Sequence, residues 1–321
     1  QSMLTLSKLS TLTNKPVNIH LVGSLTKTDK QTKLTLSKQS SIELTQIKLS
    51  EPKNNETTKP TAPKLTIKTM NTDINGTVWV QKNNHLILDL NINNQSSQLS
   101  IPKTLHLKKL LIKSHIQGEL DNIIIEATTI ADNVVLGQLT MTGSIQSPIV
   151  ELSGDKIALA ELFALKIKLP TKIALIDGYL DYKVTSEKTD FANILNNKFS
   201  ALLAVTSLSG EINGMWIQQL DWQQHFMLSD GYLTTPPNKE NNLTIGLIDT
   251  PTPISQFTTN LGISYKDNFS LSATSLKANI LGGSFDIPKV QWPLMEGHSV
   301  NVQLTSIDLE QVLALDKKQI K

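Results

Sequence analysis

Between Leu86 and Asn93 the chain reads Leu-Ile-Leu-Asp-Leu-Asn-Ile-Asn, and this alternation recurs along almost the whole length. Side chains of a strand point to opposite faces with a period of two, so the pattern predicts a sheet with one apolar face and one wetted face. Leu86, Leu88, Leu90 and Ile92 fall on the first, Asp89, Asn91 and Asn93 on the second. A chain of 321 residues built this way makes a large apolar face. The question the sequence poses is what covers that face: a second sheet, a helix or a ligand.

Other strands keep the same period: Val17/Ile19/Leu21, Leu34/Leu36, Ile42/Leu44, Leu65/Ile67, Val78/Val80, Leu105/Leu107, Ile123/Ile125 and Val135/Leu139/Met141. Later come Leu180/Tyr182/Val184, Leu243/Ile245/Leu247, Leu261/Ile263/Tyr265 and Val300/Val302/Leu304. Turn signals at Asn75-Gly76, Lys82-Asn83-Asn84, Asn93-Asn94, Asp121-Asn122 and Asp132-Asn133 suit hairpins of a meander. Residues 1–50 read as N-terminal strands. Residues 51–63, with Pro52, Pro60 and Pro63, read as an exposed loop. Residues 64–321 read as the main β region. The period changes near 155–166, where Ile157, Leu159, Leu162, Phe163 and Leu165 predict a short helix capped by Ser153 or Asp155. A second helix is expected near 308–318, with Asp308 as N-cap and Val312, Leu313 and Leu315 on its apolar side. No fixed-period repeat emerges. The chain starts and stops inside a repetitive pattern, which predicts a segment of a longer protein.

Composition excludes several function classes. Arg is absent and net charge is +2, which argues against a nucleic-acid partner. Cysteine is absent too, so there is no disulfide framework and no thiolate metal site. No stretch approaches the ~20 apolar residues of a membrane-spanning helix. The histidines His20, His85, His106, His115, His225 and His298 lack metal-ligand spacing. Nucleophile elbows, phosphate loops and metalloprotease motifs are missing. Most Asp residues fall at turns, and no enzyme, cofactor or metal is expected. Lys103, Lys108, Lys109 and Lys113 read as a solvated strand face that protects the sheet from aggregation. Four Trp are too few for two aromatic girdles of an outer-membrane barrel. A face of Leu and Ile with few aromatics suits flexible acyl chains.

The C-terminal part carries a resemblance. Leu208-Ser209-Gly210-Glu211-Ile212-Asn213-Gly214 precedes the aromatic strand Trp216 to Trp222. Asp230-Gly231-Tyr232-Leu233, Gly282-Gly283-Ser284-Phe285, Trp292-Pro293-Leu294 and Ile307-Asp308-Leu309 through Leu315 follow in order. From about Ile157 onward this resembles the YdbH proteins of the AsmA-like group, which includes TamB and YhdP; the older label of the region is a dicarboxylate transport domain. The resemblance implies a bridge across the periplasm of a Gram-negative envelope. Its sheet folds like a taco shell around an apolar channel for phospholipid. The full-length protein would be anchored in the inner membrane, and a small outer-membrane lipoprotein, YnbE-like, would extend the sheet by strand addition.

The expectation is therefore an all-β chain: a long, twisted, mostly antiparallel sheet curled into a taco-like open groove with an apolar interior and one or two short helices. Groove-lining candidates are Leu86, Leu88, Leu90, Ile92, Leu105, Leu107, Ile123, Ile125, Val135, Leu139, Met141, Leu180, Tyr182, Val184, Leu243, Ile245, Leu247 and Ile263. The alternative is a secreted or surface adhesion or scaffold module with two sheets closed on a dry core. A hydrolase would need converging His and carboxylates.

Overall fold

A computed structural model describes residues 17–49, 65–82, 85–102, 105–165, 173–190, 197–266, 268–294 and 299–313. Calls that fall on 51–63, Lys103, His298 and Leu315 lie outside the described residues. The chain is all-β, with antiparallel pairing and short helices. It divides into two compact units: residues 1–152 with 161–168, and 153–160 with 169–321.

The first unit holds β1 (Asn18–His20), β2 (Gly23–Lys27), β3 (Gln31–Leu36), β4 (Ser41–Leu49), β5 (Leu65–Gln81), β6 (Leu86–Ile101), β7 (Leu105–Glu119), β8 (Asn122–Ala131) and β9 (Val134–Gly143). β5 through β9 form a meander. β3 and β4 lie end to end in one lane beside β5, and β2 and β1 continue that split outward. Ser40 plugs the junction. It is fully buried, and its hydroxyl donates to Val22 O and accepts from Val22 N–H. Strand β10 (Ile149–Ala158) belongs to both units, and α1 (Leu159–Ala164) follows it.

The second unit holds β11 (Ile173–Ser186), β12 (Phe199–Ile212), β13 (Met215–Ser229), β14 (Tyr232–Thr234), β15 (Asn242–Asp249), β16 (Ile254–Tyr265), β17 (Phe269–Ile280), β18 (Gly283–Trp292) and β19 (Gln303–Thr305). Here β14 and β15 share a lane between β13 and β16. A terminal helix begins at Leu309; the Asp308 carboxylate accepts the Glu310 N–H at 2.8 Å, as an N-cap should.

Strands are longer than the turn signals suggest. Asn75-Gly76 and Asn93-Asn94 are not turns; they sit inside β5 and β6. Gly76 adopts φ +134°, and a Cβ there would stand 2.1 Å from the Asp89 carbonyl oxygen. Glycine is required because a neighbouring backbone occupies the side-chain position. The first helix is also shorter than expected: residues 155–158 continue β10. Among the described residues no helix is long and apolar enough to cross a membrane.

An apolar face interrupted by a crease

Cross-strand partners share a face, so the register converts the alternation into rows. In the first unit one row runs Leu25, Leu34, Val78, Leu88, Gly118, Ile123, Gly143. The next runs Leu36, Gly76, Leu90, Ile116, Ile125, Met141, and a third runs Ile74, Ile92, Ser114, Ala127, Leu139. Leu86 extends the face beside Val80. The opposite face carries Asn75, Asn91, His115, Glu126, Thr140 in one row. There His115 Nδ1 lies 3.1 Å from Asn91 Oδ1, and Lys33 sits 5.7 Å over the Trp79 ring.

The second unit repeats the arrangement. Leu180, Val205, Trp222, Leu243 and Thr259 form one row. Tyr182 aligns with Leu203 and Gln224, and Val184 with Ala201 and Phe226. Ile245 aligns with Leu220 and Phe257, and Ile263 with Leu271 and Trp292. Burial raises the pKa of the Tyr182 phenol.

Each unit is crossed by a line at which apolar spacing slips from two to three. In the first unit it separates Leu44 from Ile47, Ile67 from Met70 and Leu107 from Leu110. In the second it separates Val205 from Leu208, Ile217 from Leu220, Ile245 from Ile248, Ile254 from Phe257 and Ala273 from Leu276. Left-handed residues mark it: Gln46 and Gln98 at φ 55° and 48°, then Ser207, Gln219, Gln256 and Ser275 between 49° and 54°. One such residue rotates the chain, and alternation restarts in the opposite phase. Nearby amides turned away from the ladder find side chains. Ser207 N–H donates to Asp221 Oδ1 at 2.7 Å, and Gln219 N–H to Ser209 Oγ at 3.1 Å. Lys156, also left-handed, donates its N–H to Asp181 Oδ1 at 2.8 Å. Asp132 accepts from the N–H groups of Lys108 and Lys109 at 3.1 and 2.6 Å. Aspartates read as turn residues thus include clamps on exposed amides, which sequence spacing did not reveal.

Two candidates do not fit the face. Val135 is 51% exposed, because a bulge between Thr129 and Ile130 shifts the phase of β9. Val134 and Leu136 pack inward in its place. Leu247 lies beyond the crease and pairs with Gln218 and Ser255, while Ile248 joins the apolar row of Ile217, Ile254 and Ile280.

Among the described residues the apolar face is covered only locally. In the first unit Leu162 and Leu165 pack against Leu99, Leu107, Ala131 and partly buried neighbours, Leu105 among them. Leu107, Ile123 and Ile245 are buried, Val135 is exposed, and the other fourteen candidates stay half-buried. Ile123 reaches 1% exposure between two glycines of its row, which leave it room. In the second unit a polar node interrupts the face. Gln224 is fully buried; its amide donates to Thr235 Oγ1 at 2.9 Å and Asn241 Oδ1 at 3.1 Å, tying down the junction between β14 and β15. Trp222 Nε1 and Gln224 Oε1 have no partner among the described residues.

Open recesses border the sheet, the first of them beside Ile280. One of about 700 Å³ sits by Pro253, Asn279, Gly282, Thr305 and Gln311; another of about 530 Å³ is bordered by His106, Lys108, Lys109, Asp132 and Glu161. Among the described residues no three His, Asp or Glu side chains come together as a metal set.

The family described as YdbH-like, "Intermembrane phospholipid transport protein YdbH", matches residues 2–321. No curated protein and no solved structure matches the chain.

Proposed function

This chain belongs to the YdbH-like family of intermembrane phospholipid transport proteins, and from that premise we propose that its inner face is a passive track for phospholipid acyl chains within a periplasmic conduit between inner and outer membrane. The observation that carries the reading is the half-buried state of Leu86, Leu88, Leu90, Ile92, Ile125, Leu139 and Met141 on one continuous face. A closed sandwich, the adhesion-module alternative, would bury such residues fully against a second sheet. Each acyl methylene removed from water contributes about 0.8 kcal/mol, so an aliphatic face tens of ångströms across binds chains strongly without a pocket. Near-equivalent rows of Leu and Ile let a chain slide from one to the next, and no covalent step is involved. The full-length protein is anchored in the inner membrane in this reading, and a small outer-membrane lipoprotein adds a strand to an exposed sheet edge.

The test is native mass spectrometry with lipid extraction on the purified chain and on Leu88→Asp. The expected result is co-purified phospholipid in the first and a large loss in the second, with circular dichroism unchanged. A folded variant carrying as much lipid as the parent chain would sink the proposal.

A further inference from the structure

The inner face of the second unit changes character toward one end of its strands. The last row there runs Phe199, Leu228, Leu233, Tyr265, Phe269, each the register partner of the next. Trp292 stands one row further in, opposite Leu271, with its ring centre 6.2 Å from that of Phe269. Tyr265, Phe269 and Trp292 are 50%, 47% and 57% exposed. Tyr232, also exposed, lies at the same end on the other face, with the Lys266 ammonium 4.9 Å from its ring centre. Four of the five exposed aromatic rings among the described residues therefore gather here; Tyr179 is the fifth.

Such an edge is costly in water, since each ring offers on the order of 150–250 Å² of largely apolar surface. Rings with a polar tip, Tyr and Trp, favour the level where hydrocarbon gives way to ester carbonyls and phosphate, because the body stays dry while the N–H or O–H finds an acceptor. Deeper on the same face Tyr182 and Trp222 also carry such tips, but both are half-buried where the edge rings are exposed. Lys198 and Lys266, both exposed, flank the aromatic row in sequence, and the Lys266 ammonium lies over Tyr232 on the opposite face. Asp230, the acidic group of the adjoining hairpin, is engaged by the Ser229 hydroxyl at 2.9 Å.

We propose that this row is the headgroup-level boundary for phospholipid held on the inner face: chains lie on the aliphatic rows, and the ester and phosphate groups rest at Tyr265 and Trp292. The proposal rests on the acyl-track reading and adds an orientation to it, with every lipid facing the same edge.

Trp292 is a built-in probe, and Trp222 is an interior reference on the same face. The chain and its Trp292→Phe variant are loaded with phosphatidylcholine brominated near the ester end or near the methyl end of its chains. Vesicles are then removed by gel filtration. The Trp292 signal, taken as the difference between the two proteins, should be quenched at least about twofold more by ester-proximal bromine. The signal remaining in Trp292→Phe should contain a Trp222 component quenched by methyl-proximal bromine. Equal quenching of Trp292 by both lipids, or none while the Trp222 component is quenched, overturns the boundary and leaves the track intact. Quenching of Trp292 only while vesicles are present assigns the edge to contact with a bilayer and also overturns it. No quenching of either signal overturns the track and the boundary together.

Discussion

The apolar faces of the two units are each built from aligned cross-strand rows and differ in what stands on those rows. In the first unit the rows are Leu, Ile, Val, Met, Ala and Gly, with Ser114 as a rare polar member. In the second, Tyr182, Trp222, Gln224, Phe226 and Thr259 stand among the aliphatic residues. The first is an almost wholly aliphatic surface, half-buried over most of its rows. The second has a buried amide that fixes the junction of two short strands, and exposed rings along one edge.

The strongest way to break the comparison is at the glycines both units use. Gly76→Val in the first and Gly178→Val in the second each force a side chain into neighbouring backbone at positive φ. Each should cost about 3 kcal/mol in urea unfolding; a mild effect at either site would mean that the close approach there relaxes freely. Next in size is the contrast between covered and uncovered positions. Leu107→Ala, under the Leu162 and Leu165 cover, should cost about 3 kcal/mol, whereas Leu88→Ala on the open face should cost about 1 kcal/mol. Equal losses would mean that the face at Leu88 is buried by something. Removing an amide clamp is smaller: Asp221→Ala should lose about 1.5 kcal/mol by the same measurement. The smallest effect concerns pH. The folded pKa of Tyr182 is raised by burial, so its neutral form stabilises the fold below pH 10, the ordinary tyrosine value. That contribution fades as pH rises from there through the folded value, while the unfolded chain ionises freely. Tyr182→Phe should flatten the alkaline limb of the stability curve, and an unchanged limb would assign it to other groups.

How much of this was legible can be traced residue by residue. The alternation put Leu86, Leu88, Leu90, Ile92, Ile125 and Met141 on one face, and the register keeps them together, because a half-wetted sheet imposes its period directly on sequence. Asn-Gly and Asn-Asn were misread as turns because those residues serve equally where backbones crowd or where a strand is wetted. Helix α1 begins later than its apolar spacing suggests, since Ile157 satisfies a strand as well as a helix. Val135 and Leu247 went astray where the phase resets, at a register shift beside β9 and, in β15, at the level of left-handed Gln219 and Gln256 on its neighbours; glutamine carries no strong signal of that conformation. The signal present was spacing. An apolar residue followed three positions later by another, as at Leu44/Ile47, Ile217/Leu220 or Ile245/Ile248, marks the slip inside an otherwise alternating run.

The crease also limits how such a chain can be altered. The slip occurs at matching levels in adjacent strands, so it belongs to the sheet and to no single strand. Deleting Gln98 alone would restore regular alternation in β6 while leaving β5 and β7 one residue out of step with it. Such a fold tolerates exchange of side chains along its rows and whole hairpins added at its margins, but it resists single-residue insertion and deletion within a strand. Length can grow by strands far more readily than by residues.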